Sequence, residues 1–124
     1  MKKKRILLIV TGGVASYKAL ELLRLLVKDN FDLECVLTDN TKKFINTLMF
    51  ESLLGKKVFT ELFSLNETSE MNHIQLANNF DLILVVPATA NFIGKISNGL
   101  ADDLASTILM ATKTPTFFAP GMNV

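Results

Sequence analysis

Residues 5–18 read RILLIVTGGVASYK, and this stretch decides the fold. Arg5 is followed by five apolar residues, Ile6 to Val10, without alternation. A continuous apolar run of this length suits a strand covered on both faces, as in parallel sheets. Thr11, Gly12 and Gly13 break the run. From Val14 to Lys28 the spacing turns helical. Ala19, Leu20, Leu23, Leu26 and Val27 share one face, with Lys18, Glu21, Arg24 and Lys28 largely opposite. Leu22 and Leu25 widen the apolar stripe beyond what one sheet contact needs, which suits a helix–helix or subunit contact.

The same alternation continues outward from this unit. FDLECVLT (31–38) alternates and ends on a polar residue, so it reads as a second strand. Residues 41–54 read as a helix closed by Gly55, and KVFTELF (57–63) as a short strand or extended piece. The polar stretch 66–79 predicts a helix ending near Asn79. FDLILVV (80–86) is the strongest strand, ended by Pro87. Asn91 to Asn98 suits a short helix. Asp102 to Thr112 suits another, with Asp102 as its cap and Leu104, Ile108 and Ala111 on one side. TFFAP (116–120) reads as the last strand. Strands and helices in alternation, with apolar strands, predict an α/β protein built on a parallel sheet.

Composition narrows the class. At 124 residues the chain is at most one domain, and 49% hydrophobic content supplies its core. A net charge of +1 gives no reason to expect nucleic acid or an anionic membrane as partner. The basic head Lys2-Lys3-Lys4-Arg5 reads as a solvated terminus. No apolar run reaches the roughly 18–20 residues of a membrane helix. The run Ile6 to Val10 is also too short for a signal peptide. Cys35, the one cysteine, excludes an internal disulfide and reads as a small core residue. These features predict a soluble, cytoplasmic protein.

In parallel α/β sheets ligands bind beyond the carboxyl ends of the strands. The residues there are Thr11-Gly12-Gly13, Thr38-Asp39, Pro87 to Asn91, and Pro120 to Asn123. Most are small or neutral hydrogen-bonding residues, and no acid–base pair stands out among them. The two glycines let a ligand approach the backbone, and the following helix start offers N–H groups to a phosphate. The spacing fits neither a dinucleotide fingerprint nor a Walker loop, so a turn chosen only for geometry remains an equal reading. Asp39 is placed either to hold a ribose or simply to make a turn. Thr89 and Asn91, in PATANFIGKISNGLADDL (87–104), suit a flavin's ring edge and its ribityl or phosphate oxygens better than a metal. Asp102-Asp103 is explained by a helix N-terminus, and no metal site is expected. His73, the sole histidine, reads from composition as structural.

Five stretches occur together and in order: TGGVASYK (11–18), LTDNTKKF (37–44), HIQLA (73–77), PATANFIGKISNGLADDL (87–104) and APGMN (119–123). On these the chain resembles the flavin-dependent cysteine decarboxylases, and within them the branch acting on phosphopantothenoylcysteine in coenzyme A biosynthesis. The resemblance implies a Rossmann-like, flavodoxin-type sheet with helices on both faces and FMN as cofactor. It also implies a homotrimer with each site near a subunit interface. By analogy Gly12, Gly13, Val14, Ala15, Thr38, Phe44, Ala88, Thr89, Asn91, Ala101 and Asp102 would surround the cofactor. The implied chemistry oxidises the cysteinyl side chain, releases carbon dioxide, and returns the electrons to give phosphopantetheine.

His73 matches the family's essential histidine, and Asn123 the asparagine expected to bind the substrate carboxylate. In the family a further segment with a proton-donating cysteine follows this asparagine. The resemblance therefore implies a decarboxylase domain, 1–124, incomplete at its C-terminus, with the final reduction in question. Three other readings stand beside it: a peptidyl-cysteine decarboxylase, a flavin prenyltransferase, and a non-catalytic FMN-binding subunit. The first loop and APGMN argue against the prenyltransferase.

Overall fold

The computed structural model describes residues 3–60 and 73–120. The elements are β1 (Arg5–Val10), α1 (Ser16–Lys28), β2 (Asp32–Leu37), a 3₁₀ turn (Thr41–Lys43) and α2 (Thr47–Leu54). They continue with α3 (His73–Asn78), β3 (Leu82–Ala88), α4 (Ala90–Ser97), α5 (Leu104–Ala111) and β4 (Thr116–Pro120). The strands form one sheet in the order β2-β1-β3-β4, and every pairing is parallel. After β1 the chain moves outward to β2 and then crosses back to place β3 on the other side of β1. That reversal is the switch point of a flavodoxin-type sheet.

The unbroken apolar strands explain the layering. Leu7 and Ile9 of β1 join Ile83 and Val85 of β3 on one face, where α3, α4 and α5 cover them with Leu76, Phe92, Leu104 and Ile108. Ile6, Leu8 and Val10 face the other way with Leu33, Cys35 and Leu37, under Ala19 and Leu23 of α1 and Phe50 of α2. Helices therefore cover both faces.

Several elements differ from the sequence reading. On α1 the buried stripe is Ser16, Ala19 and Leu23, with Leu20, Leu22 and Leu26 packed alongside, whereas Val27 and Leu25 are exposed. The helix expected over 41–54 is split. Asn46 accepts a hydrogen bond from Leu48 N at 2.9 Å and so starts α2 afresh. Gly55 closes α2 in a left-handed conformation, φ 80°, as expected. Of the predicted piece 57–63, Phe59 bridges to Val36 in parallel, while residues 61–63 lie outside the described residues.

Pro87 does not end β3; the strand runs on to Ala88. The pairing of β3 with β4 shifts register between Val85 and Ala88, so the missing proline N–H falls where the ladder is already irregular. The cap of α5 is Asp103 and not Asp102. Ser106 lies three residues after Asp103 and completes a reciprocal capping box, with Ser106 N donating to Asp103 Oδ1 at 2.8 Å. The residue three after Asp102 is Ala105, which has nothing to return.

Arg5 is more than the end of a solvated head. Its Nε sits 3.0 Å from Asp32 Oδ2, its Nη1 donates to Asn79 O at 2.8 Å, and its guanidinium lies 4.7 Å from the Phe80 ring centre. It clasps the amino ends of the strands, opposite the crevice. Among the described residues no helix is long and apolar enough to cross a membrane.

Candidate functional site

A cleft of about 500 Å³ opens beyond the carboxyl ends of β1, β2 and β3. Its size suits a small-molecule ligand. Thr11, the first residue after β1, ties the switch point together. Its hydroxyl donates to Pro87 O and accepts from Thr89 N at 3.1 Å, joining the ends of β1 and β3. Ser16 Oγ holds the loop between by donating to Gly13 O at 2.7 Å.

Both glycines in that loop are required, Gly12 by a close neighbour and Gly13 by its backbone angle. A Cβ on Gly12 would lie 2.6 Å from Asn40 Nδ2 and 2.9 Å from the Asn40 backbone carbonyl carbon. Gly13 has φ 142°, and a Cβ there would sit 3.4 Å from Thr89 Cγ2. The backbone here forms a floor without side chains.

Hydroxyl polarity follows from the hydrogen bonds. Thr41 Oγ1 donates to Val10 O at 2.8 Å, so in its 2.9 Å contact with Thr38 the proton comes from Thr38. Thr38 therefore offers the cleft lone pairs only. Thr89 caps α4 by accepting from Phe92 N at 3.2 Å, which leaves its own O–H as a donor among the described residues.

One wall is charged. Lys95 Nζ lies 2.6 Å from Asp102 Oδ1 and 3.0 Å from Asp103 Oδ2. Burial pulls the Lys95 ammonium down, but the two carboxylates outweigh it and hold its pKa above the ordinary lysine value. Burial pushes the Asp103 carboxyl up, but hydrogen bonds from Ser106 and Lys95 outweigh that and hold it below the ordinary value. Among the described residues no group of three His, Cys, Asp or Glu could hold a metal. Cys35 lies fully buried in β2, away from this cleft. Burial, and then the Glu34 carboxylate, push its thiol up to about 12.

A glycine-floored cleft at the switch point of a parallel sheet matches a known family from end to end: the Flavoprotein family's sequence model covers residues 1–124. The chain belongs to the Flavoprotein family. It is 40% identical over 124 residues to the coenzyme A biosynthesis bifunctional protein CoaBC of Bacillus subtilis, covering all of this chain and 30% of that protein. It is 43% identical over 122 residues to the CoaBC of Borreliella burgdorferi, covering 98% of this chain and 31% of that protein. It thus spans about 30% of the length of these curated relatives.

Solved structures give the same likeness. The FMN-dependent cysteine decarboxylase TvaF from thioviridamide biosynthesis superposes with a TM-score of 0.87 at 25% identity, over 98% of this chain and 75% of that one. A PPC decarboxylase variant complexed with pantothenoylaminoethenethiol gives 0.79 at 28% identity, over 99% and 69%.

In this Flavoprotein chain, Gly12, Thr38, Thr89, Asn91 and Asp102 line the cleft. Gly13 continues the loop behind Gly12, and Val14 and Ala15 lead into α1, with Val14 exposed. Ala88 is buried at the end of β3, and Ala101 is exposed just before Asp102. Phe44 lines a separate hollow with residues 42–47. His73 is the first residue of α3; its side chain, like all of Asn123, lies outside what is described.

The cleft also draws in Asn40, Thr60, Phe92 and Lys95, not singled out from sequence, and Asp103, read there only as part of a helix start. Asn40 follows a strand end, and that position was a usable signal. Lys95 and Asp103 lie on different helices with a loop between, so only the fold brings them together.

Proposed function

We propose that this chain binds FMN in the cleft and decarboxylates phosphopantothenoylcysteine in coenzyme A biosynthesis. The observation that carries this is the glycine-floored cleft at the β1/β3 switch point, in a chain matched along its whole length by CoaBC proteins. The residues present fit such a cofactor. Gly12 and Gly13 keep side chains off the floor, Thr38 can accept from a ligand hydroxyl or imide, and Thr89 can donate to a phosphate or carbonyl oxygen. Asn40 and Asn91 add amides that serve either polarity.

FMN, when bound, supplies the two-electron oxidation of the substrate's cysteinyl side chain that makes loss of carbon dioxide feasible, and the later return of those electrons. The chain's own part is to bind, orient and shield. In this proposal Asn123 holds the substrate carboxylate and His73 serves the reacting end of the substrate. The protein acts in the cytoplasm as a homotrimer with small-molecule substrates only.

Two assays test this. Purified chain is titrated with FMN and followed by flavin absorbance, and carbon dioxide release is then measured with phosphopantothenoylcysteine. His73→Asn is expected to keep the flavin spectrum and to lower carbon dioxide release by about 100-fold or more. A parent chain that leaves the FMN spectrum unchanged and is colourless once free FMN is removed would sink the proposal. The likeness to the peptidyl-cysteine decarboxylase EpiD, with a TM-score of 0.82 at 27% identity over 98% of this chain and 71% of that one, favours one second reading, a cysteine decarboxylase acting on a peptide. Release from a cysteine-terminated peptide, and not from phosphopantothenoylcysteine, would establish it.

A further inference from the structure

The charged wall of the cleft poses a problem for an anionic ligand. Among the described residues its charged lining is Asp39, Lys95, Asp102 and Asp103, three carboxylates and one ammonium. Asp39 has its own partner outside the cleft lining, Lys42 Nζ at 3.3 Å. Asp102 and Asp103 share Lys95. Asp103 is fixed by another duty, since it caps α5 through Ser106. Its Oδ2 is left for Lys95 at 3.0 Å. Asp102 is two-thirds exposed and has Lys95 as its ion-pair partner at 2.6 Å. The Lys95 side chain is 20% exposed and that of Asp103 34%, so water does less of the balancing between these two than it does at Asp102.

Lys95 also stands on α4, the helix whose start presents Thr89 and Asn91 to the cleft. The ion pairs therefore bind the helix that offers hydrogen-bonding groups to the wall that faces them.

We propose that Lys95 is a positioning residue for anion binding: its ammonium holds Asp102 and Asp103 to the wall and offsets their charge, so that the cleft admits a phosphate-bearing flavin. This rests on the FMN reading above. Without the ammonium, two carboxylates on this wall lack their counter-charge and repel an anionic ligand, Asp103 with the less solvent to screen it. The effect acts on the ligand's charge. It falls on FMN more than on riboflavin, which carries the same ring and ribityl chain without the phosphate.

The test is the affinity of the flavin-free chain for FMN and for riboflavin, read by flavin fluorescence. The variants are Lys95→Met, Lys95→Arg and Lys95→Met with Asp102→Asn. Lys95→Met is expected to weaken FMN by about tenfold or more while riboflavin changes by less than about threefold. Lys95→Arg is expected to bind FMN nearly as the parent does. Adding Asp102→Asn to Lys95→Met is expected to recover much of the lost FMN affinity, because it removes the repelling charge.

Equal losses for the two flavins, or no recovery in the double variant, overturn the proposal. So does a Lys95→Met protein that binds FMN like the parent. If Lys95→Met fails to fold by circular dichroism, Asp102→Asn alone decides. Tighter FMN with unchanged riboflavin supports the proposal, and no change in either overturns it. A parent that binds no FMN defeats the functional reading itself, which separates the two failures.

Discussion

A methyl group at residue 12 has nowhere to go. It would lie 2.7 Å from Asn40 Cβ and 2.9 Å from the Asn40 backbone carbonyl carbon, and the backbone cannot swing aside as a side-chain tip can. Gly12→Ala is expected to cost about 1–3 kcal/mol in stability, the range for forced overpacking. It should weaken flavin binding as well, because relief of the clash displaces the loop at the switch point. Urea unfolding with an FMN titration checks both, and unchanged values would show that the loop yields freely. The sequence displays this glycine plainly but not its reason. TGG announces a turn that a ligand can approach, whereas the crowding by Asn40 comes from the loop that follows the neighbouring strand. Thr11 is similar: it stood out as a strand-end residue, but its link from β1 to β3 appears only once those strands lie side by side.

At the scale of elements, α5 shows how a local rule sharpens a reading. Asp102 and Asp103 both look like caps, and Ser106 selects Asp103. Asp103→Ala is expected to cost about 0.5–2 kcal/mol at neutral pH through the lost cap. Asp103→Asn keeps an acceptor at the cap and should cost less. Because the folded Asp103 carboxyl lies below its unfolded value of 3.8, its charge-dependent contribution is present above about pH 4 and is lost as pH falls through the folded pKa. The Lys95 contribution has the opposite sense. It is full below 10.5 and is lost as pH rises through the higher folded value. Thermal unfolding across acid pH should therefore show a shallower loss for Asp103→Asn than for the parent, and parallel curves would contradict this.

Where elements were misplaced, the cause is local competition. Asn46 restarts a helix that apolar spacing alone had drawn as continuous, and Pro87 is tolerated where the β3–β4 ladder slips. By contrast β1 and β4 fall where the apolar runs put them, since neither RILLIV nor TFFAP holds a capping residue or turn pair that would start another element inside it.

At the scale of the molecule, the two-sided core was legible because strands with no polar face must be covered twice. Leu7 and Ile9 on one side, and Ile6 and Leu8 on the other, make that argument by themselves. The charged wall of the cleft was not legible, because it arises where the loop between α4 and α5 returns Asp102 and Asp103 to Lys95. Cys35 lies in the sheet's interior with its thiol pushed up to about 12, so it reacts through the thiolate only when the core opens. Alkylation at neutral pH is expected to be slower than for the unfolded chain in urea by about 100-fold or more. Similar rates in the two states would mean that the sheet opens readily.

The order β2-β1-β3-β4 also sets a timetable. Ile6 pairs with Leu33 on one side and with Leu82 on the other. A chain leaving the ribosome can form the first of these pairings long before the second exists. Until β3 emerges, one edge of the strand destined to be most deeply buried is a bare row of amide and carbonyl groups, able to accept a strand from another nascent chain. Closing that edge requires a distant crossover, and distant pairings form slowly. Slower translation between residues 60 and 82 would lengthen this exposure, and misassembly during synthesis should rise with it.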